Sequence, residues 1–174
     1  MEMSTVSMAG GWLINESWTL RGGVGLILDG DMITPDGVIH AVEPGGLFSI
    51  GLENRALIGE GYTPFVDLSL FFGASWTETI DPGTQAATSY FAADARFGAR
   101  AGWNINNNTF PYVAARIFGG PVNWEIAEVE VTGSDIHHYQ IALGMAVQLG
   151  PVGIFAEWAG VGEQAVSAGL STSF

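Results

Sequence analysis

The segment Tyr139-Gln140-Ile141-Ala142-Leu143-Gly144-Met145-Ala146-Val147-Gln148-Leu149 alternates between large apolar residues and small or polar ones. Successive side chains of a β-strand point to opposite faces, so a period of two predicts a strand with one apolar face. The segment lies in a run without charged residues, 136–156, which is long enough for a membrane helix. The period and the Gly150-Pro151 pair inside that run argue against a helix.

The same alternation recurs along the whole chain. Nine segments show it, near residues 5–13, 18–28, 46–57, 62–77, 88–103, 110–118, 137–149, 152–160 and 164–174. Short and long connections alternate between them, as in an up-and-down meander whose short turns share one end. We therefore predict an all-β chain with one domain over residues 1–174, an antiparallel β-barrel of 8–10 strands. Bacterial barrels of one chain have even strand numbers, so we expect ten, with an upward strand before Met1, or eight if one segment is wrongly divided.

Composition excludes several functional classes. The 174 residues are 48% hydrophobic and 13% charged, with a formal net charge of −13. Ten Phe, six Trp and four Tyr argue against disorder, and the acidic excess argues against nucleic acid as a partner. The absence of Cys excludes a disulfide framework and thiolate metal sites, and the sequence indicates no cofactor. The N-terminus lacks the pattern of a cleavable signal, so export would require a signal already removed from this chain.

The charged residues decide which face of the strands is inside. All five Arg and four acidic residues fall on the polar parity of a strand: Arg21, Arg55, Arg96, Arg100, Arg116, Glu53, Asp67, Asp94 and Glu157. Lys is absent, and Gly, Ala and Ser fill much of the same parity, which suits a narrow interior where charges pair. Leu, Phe, Val and Trp then face outward, so we predict a transmembrane barrel. The alternative, a soluble lipocalin-like ligand-binding barrel, has the apolar face inward.

Outward aromatic residues fall into two sets near the strand ends. One set lies beside the short turns (Trp12, Trp18, Tyr62, Trp103 and Phe174), and the other lies toward the long loops (Trp76, Phe91, Tyr139 and Trp158). Aromatic side chains gather at the two boundaries between membrane and water, so these sets predict two aromatic girdles.

Acidic residues concentrate in or beside the long connections. They are Asp29, Asp31, Asp36, Glu43, Glu78, Asp81, Glu125, Glu128, Glu130, Asp135 and Glu163. We interpret them as a solvated rim at the extracellular end. A second hypothesis is that Ca²⁺ or Mg²⁺ bridges them to anionic lipid headgroups such as those of lipopolysaccharide.

The last segment, Val166-Ser167-Ala168-Gly169-Leu170-Ser171-Thr172-Ser173-Phe174, ends on an aromatic residue in outward phase. This resembles the C-terminal signature of bacterial outer-membrane β-barrel proteins, in which the last strand and terminal Phe are read by the barrel-assembly machinery. The resemblance implies a Gram-negative outer-membrane location, with the bilayer and that machinery as partners, short periplasmic turns and longer extracellular loops. Similar barrels include anchors, porin-like small-molecule channels, adhesion proteins and hydrolases.

The sequence supports more than one functional class. The inward charges predict either a paired polar plug or an anion-selective constriction, hence a non-enzymatic structural or interaction protein or a narrow small-solute channel. The enzymatic alternative is a hydrolase of lipid or peptide at the rim, built on Ser134, Asp135, His137 and His138. Adjacent His side chains diverge on a strand, which disfavours a metal site there.

Gly119-Gly120-Pro121 cannot continue a regular β-ladder, so we expect a bulge or an inward fold there. The first hypothesis is a loop base that packs on Trp124. The second is an inward-folded loop that gates access to Arg116.

Overall fold

The computed structural model describes residues 2–34, 37–57, 62–126, 129–133 and 138–172. Every regular element in these residues is a β-strand, as the alternation predicts. The strands are β1 (Glu2–Leu13), β2 (Trp18–Ile33), β3 (Ile39–Val42), β4 (Gly45–Leu57), β5 (Pro64–Ile80), β6 (Ala87–Trp103), β7 (Thr109–Gly119), β8 (Val122–Ile126), β9 (Val129–Gly133), β10 (Tyr139–Leu149), β11 (Val152–Gly162) and β12 (Ala165–Thr172). No helix of the described residues is long and apolar enough to cross a membrane.

All strand pairs are antiparallel and belong to one sheet, in the order β1-β2-β3-β5-β6-β7-β10-β11-β12. Both β3 and β4 lie between β2 and β5, and β4 pairs with the half of β2 nearer the short turns. β8 pairs with β6 beyond the end of β7. β9 pairs with β8 just as β10 pairs with β7. The β3–β4, β7–β8 and β9–β10 pairs each occupy one position of the sheet. The described strands thus fill nine positions, which match the nine segments read from the sequence.

The strands run further than the alternation predicts. β2 continues to Ile33 and β5 to Ile80, while the β8–β9 hairpin occupies residues expected to form a long loop. The expected acidic loops are therefore wrong in part. Five of their acidic residues lie on strands instead: Asp29 and Asp31 on β2, Glu78 on β5, Glu125 on β8 and Glu130 on β9. Asp36, Glu128 and Asp135 lie outside the described residues. In β2 the cause is a β-bulge, because Ser4 pairs with Asp29 but Thr5 pairs with Ile27. The bulge changes which parity faces inward, so the alternation in the sequence does not reveal the end of the strand.

The sheet is strongly curled, as a barrel requires. The rings of His40 on β3 and Trp124 on β8 meet edge to face at 5.0 Å although β5 and β6 lie between their strands. Adjacent strands lie about 4.8 Å apart, so a flat sheet would hold these residues roughly 14 Å apart. The polar parity faces the concave side of this curve.

Two apolar clusters pack on the concave side. The first lies nearer the short turns and contains Phe65, Tyr112, Ala114, Ala142 and Ala159, with Phe110 against it. The second lies at the opposite end and contains Ile27, Met32, Val42 and Tyr90, with Trp124 among the residues against it. Their side chains fill the interior at two heights.

The passage from β7 to β8 is a bulge rather than a gate. A Cβ at Gly120 would lie 1.8 Å from the carbonyl oxygen of Ala93, so only glycine permits this approach. The Ala93 N–H donates to the carbonyl of Pro121 at 3.0 Å, and β8 then continues beside β6. The inward-folded loop over Arg116 is therefore wrong, because backbone pairing keeps the segment in the wall.

Polar side chains and left-handed residues form the turns. The Oδ1 atom of Asn15 accepts the N–H groups of Ser17 and Trp18, both at 3.0 Å. Asn106 and Asn107 adopt φ values of 54° and 57°, which Asn tolerates better than most residues. The short turns are thus defined by local chemistry.

The convex face of the sheet is apolar and open to the surroundings. Large residues on it remain exposed along every long strand, including Leu20, Val24, Phe48, Ile50, Leu70, Phe72, Phe97, Val113, Ile117, Leu143, Met145, Ile154, Val166 and Leu170. The expected aromatic residues of both sets are also exposed, from Trp18 at 43% to Trp12 at 75%. Phe174 lies outside the described residues.

Candidate functional site

The candidate site is the charged layer on the concave side of the sheet. The nine charges predicted from parity all face this side, but they do not form one constellation. Five belong to one network, two to a second pair and two to a third, weaker pair.

The largest network joins four neighbouring strands through five side chains. Asp67 accepts from Arg55 Nε at 2.8 Å and from Arg100 Nη2 at 2.6 Å. Glu53 lies 2.7 Å from Arg21 Nε and 3.3 Å from Arg100 Nη2. The side chain of Asp67 is 2% exposed, so two guanidinium groups compensate one buried carboxylate. The arrangement fixes the register of β2, β4, β5 and β6 by side-chain pairing as well as by backbone hydrogen bonds.

The second network crosses from β7 to β11 over β10. Arg116 donates to both carboxylate oxygens of Glu157, at 2.6 and 2.8 Å, which is the bidentate geometry of a strong charge-assisted pair. Arg116 also donates to the Oε1 atom of Gln140 at 2.7 Å, and Gln140 Nε2 donates to the carbonyl of Glu163 at 3.2 Å. The intervening strand therefore contributes its own polar side chain to the same network.

Tyr112 connects these two networks, although the sequence analysis did not single it out. Its ring lies 5.2 Å from the guanidinium carbon of Arg100, and its side chain is near enough to Glu157 to interact with it electrostatically. Tyr112 shares the parity of Ala114 and Arg116, and this was the available signal.

Asp94 and Arg96 stand apart from the other charges. They lie two residues apart on β6, 3.6 Å from each other, and both side chains are about two-fifths exposed. Arg96 also lies 5.3 Å from the ring of Phe118. An exposed ion pair of this kind contributes little to stability. The predicted association of Asp94 and Arg96 with Arg100 and Arg116 is not observed among the described contacts.

A buried polar group inside the second apolar cluster was also missed. The Nε1 atom of Trp124 donates to Thr79 Oγ1 at 2.8 Å, and Thr79 Oγ1 lies 2.8 Å from Thr88 Oγ1. His40, 4% exposed, packs edge-on against Trp124. The sequence signal for this cluster was Leu26-Ile27-Leu28. Three consecutive apolar residues place at least one apolar side chain on the inward face, where Ile27 lies.

The rim residues give no assembled catalytic group in the described structure. Ser134, Asp135 and His137 lie outside the described residues. His138 is exposed, and its backbone carbonyl accepts the N–H of Phe118 at 2.9 Å. Within the described side chains, no three His, Asp or Glu converge as metal ligands.

The inward Arg side chains and carboxylates pair with one another. Each of the five Arg contacts a carboxylate, and the apolar clusters cover the layer toward both ends. Such cross-strand pairing resists sliding of the strands past one another. Comparison of the chain with protein-family models, with curated proteins and with solved structures finds no match.

Proposed function

We propose that this chain is a bacterial outer-membrane β-barrel protein with a structural or interaction role rather than a catalytic one. The observation that carries the proposal is the division of the sheet into a convex apolar face and a concave charged face. Soluble monomeric proteins rarely expose contiguous apolar patches above a few hundred Å². A face that is apolar along every long strand suits the hydrocarbon of a bilayer.

The height of the apolar face supports the same proposal. Outward residues of β10 run from Tyr139 to Leu149, which is about 33 Å along the strand. A strand tilt of about 40° reduces this to roughly 25 Å, the height of the apolar band in outer-membrane barrels. Exposed aromatic residues stand near both limits, with Trp76 paired beside Phe91 at one end and Trp103 at the other.

The filled interior favours a plugged barrel over an open passage. The networks of Asp67 and Glu157 cross the concave side, and Phe65 and Tyr90 belong to the two apolar clusters. A barrel of eight to ten strands holds an interior that side chains roughly fill. The proposed role therefore resides on the surface and the outer rim.

A narrow small-solute channel is the second candidate. The side chains of Arg21, Arg55 and Arg96 are between 42% and 47% exposed. Partly hydrated Arg side chains are the groups that line anion-selective constrictions. Planar-bilayer recordings separate the candidates: a plugged barrel gives no discrete steps, whereas a channel gives steps that change with R55A.

The proposed partners follow from the location. They are the bilayer with its lipopolysaccharide, and the barrel-assembly machinery acting on the last strand and Phe174. Divalent cations are proposed at the acidic rim, where Asp29, Asp31 and Asp81 lie. Measurable Ca²⁺ binding that is lost on D29N/D31N substitution supports this part, and no binding at millimolar Ca²⁺ overturns it.

Detergent dependence tests the main proposal. We expect the protein to refold only in detergent or lipid and to migrate faster on gels before heating than after it. Fractionation of the producing bacteria should recover it with the outer membrane. A monodisperse monomer in detergent-free buffer overturns the proposal and supports the inverted, soluble barrel.

A further inference from the structure

The hairpin of β2 and β3 carries the sheet beyond the upper set of aromatic residues. Trp76 and Phe91 pair on β5 and β6 at that level, and Ala41 of β3 pairs with Ile80, four residues after Trp76. Ile39 lies two residues further from the aromatic pair. With a rise of about 3.4 Å per residue and a strand tilt of about 40°, Ile39 stands roughly 15 Å above Trp76. The end of this hairpin therefore lies beyond the apolar band that suits the bilayer.

Apolar side chains face outward at the end of the hairpin. Ile33 and Ile39 lie directly opposite each other on β2 and β3, and they are 58% and 55% exposed. Val38 beside them is also exposed, whereas Met32 and His40, on the other face of the same strands, are buried. Residues directly opposite on antiparallel strands have Cβ atoms about 5 Å apart. Ile33, Val38 and Ile39 thus form one apolar patch, which we call the tip patch.

Acidic residues separate the tip patch from the apolar band below. Asp29 and Asp31 precede Ile33 by four and two residues on the outward face of β2, and both are exposed. Glu78 is exposed on the outward face of β5, two residues after Trp76. An ionised carboxylate is costly to bury in hydrocarbon, so the hairpin cannot lean into the bilayer without burying these groups. The tip patch is therefore not a continuation of the lipid-facing band.

The outward carboxylates near the tip patch have no basic partner among the described contacts. The described ion pairs all join Arg side chains to acids of the concave side, and none includes Asp29, Asp31 or Glu78. Asp81, whose carboxylate accepts the Thr84 N–H at 2.7 Å, adds a further negative charge at the same end. A surface of one sign attracts partners of the opposite sign and speeds their association.

The two features together narrow the chemistry of an occupant. A bound cation satisfies the carboxylates but leaves the tip patch exposed. The phosphates of lipopolysaccharide are repelled by the carboxylates, and its sugars are too polar to cover isoleucine. A polypeptide with apolar and basic side chains meets both requirements, since protein interfaces combine an apolar centre with a polar rim.

We propose that the tip patch and the acidic residues below it dock a basic polypeptide segment at the outer surface. Its apolar side chains cover Ile33 and Ile39, and its Lys or Arg side chains reach Asp29, Asp31 and Glu78. Outward positions 29, 31 and 33 follow one another at about 7 Å along β2, which matches alternate side chains of an extended segment. The proposal rests on the membrane location proposed above and defines the partner of the interaction role.

A short peptide with this spacing provides the probe. In the labelled peptide Lys-Ser-Lys-Ser-Leu-Ser-Leu, alternate residues place two cations and two apolar groups on one face. The barrel is embedded in phosphatidylcholine nanodiscs with EDTA, and fluorescence anisotropy is compared with that of empty nanodiscs. We expect saturable binding that weakens as salt rises from about 50 to about 300 mM. The peptides Glu-Ser-Glu-Ser-Leu-Ser-Leu and Lys-Ser-Lys-Ser-Ser-Ser-Ser should each bind at least about fivefold more weakly.

Variants of the barrel locate the binding. I33S/I39S should weaken it at least about fivefold, and D29N/D31N should weaken it about threefold or more and reduce its salt dependence. Ile14 and Glu16 offer matched controls at the opposite end, since both are exposed, so I14S and E16Q should bind like the native protein. Each variant is first tested for heat-modifiable migration, and I39S replaces I33S/I39S if the double variant does not fold.

Three results overturn the proposal. The first is absence of binding above empty nanodiscs, up to millimolar peptide, by a barrel that retains heat-modifiable migration, which leaves the proposed membrane location intact. The second is unchanged binding by I33S/I39S or equal binding of the peptide without Leu, because either leaves only a general attraction of cations. The third is binding of lipopolysaccharide with Ca²⁺ that is lost in D29N/D31N while the basic peptide does not bind, which assigns the surface to the outer leaflet.

Discussion

Arg116 on β7 holds both carboxylate oxygens of Glu157 on β11, at 2.6 and 2.8 Å, across the full width of β10. The two strands lie about 10 Å apart with β10 between them, a distance that the long Arg and Glu side chains span together, so this pair ties β7 to β11 over β10. The side chains of Arg116 and Glu157 are only 24% and 11% exposed, so removal of either one should lower the free energy of unfolding substantially.

Substitution R116A should destabilise the barrel by about 2–3 kcal/mol, because Glu157 is left charged and only partly hydrated. R116K keeps the charge but loses the fork, so we expect an intermediate loss. Urea unfolding in lipid vesicles measures both. The double variant R116A/E157A should lose less than the sum of the two single variants, and strict additivity would contradict the pairing.

Substitution of Asp67 should reduce the stability of the barrel more than substitution of Glu53. D67N leaves two guanidinium groups without their shared charge and should cost about 2–4 kcal/mol, whereas E53Q should cost roughly half as much. The difference follows from exposure, at 2% for Asp67 and 15% for Glu53. R96A, whose only ion pair, with Asp94, is about two-fifths exposed on both sides, is the matched control and should cost under about 1 kcal/mol. Equal losses for all three variants would count against a buried core at Asp67.

Gly144 makes room for the ring of Tyr112. A Cβ at this position would lie 2.3 Å from the Cζ atom of Tyr112, so G144A should destabilise by about 1–3 kcal/mol through displacement of the ring. In the Y112A background the same substitution should have almost no further effect. A stability measurement on the four proteins of this cycle checks the prediction, and an undiminished effect in Y112A refutes it.

Outward substitutions should depend on depth in the bilayer. Leu143 lies near the middle of β10 and Leu149 at its end, and both are exposed on the convex face. L143R should lower the free energy of unfolding in vesicles by about 2–4 kcal/mol, and L149R by about 0–1 kcal/mol. If the two variants were equally stable, the apolar face would not lie in a bilayer.

The turn at residues 81–86 should respond to acid. Hydrogen bonds from the Thr84 N–H and hydroxyl, and from the Gly83 N–H, hold the pKa of Asp81 below its ordinary value, with a smaller contribution from His40. The ionised carboxylate therefore stabilises the turn above the ordinary pKa of the group, and this is lost as pH falls through the lowered pKa. Amide exchange at Gly83 and Thr84 measures it.

In the native protein we expect these amides to lose protection only in that acidic window. D81A should lack the protection at every pH, whereas D31A, on an exposed part of β2, should leave it unchanged. Protection that persists in D81A would assign the turn to its backbone contacts alone.

The sequence by itself determined the strand class and the face on which each of the nine inward charges lies. Its nine alternating segments match the nine positions of the described sheet, whereas the even strand number expected from them, eight or ten, is not what the described residues show. A period of two is a property of the chain, since adjacent Cβ atoms alternate irrespective of the neighbours. Residues such as Arg21, Glu53 and Glu157 could therefore be assigned inward before any contact was known. The Asn-rich turn at 106–107 was equally readable, because its left-handed backbone depends on local chemistry.

Only the tertiary structure decided which of these charges meet. Partners depend on register and curvature, and both arise from hydrogen bonding between strands distant in sequence. This is why Arg100 joined Asp67 while Asp94 and Arg96 remained apart, and why Tyr112 and His40 were missed. The bulge opposite Ser4 and Thr5 reversed the parity of β2, so Met32 became a core residue that periodicity alone would have placed outside. The face on which a side chain lies is determined locally by the chain, whereas its partner is determined by the curved sheet that distant strands form together.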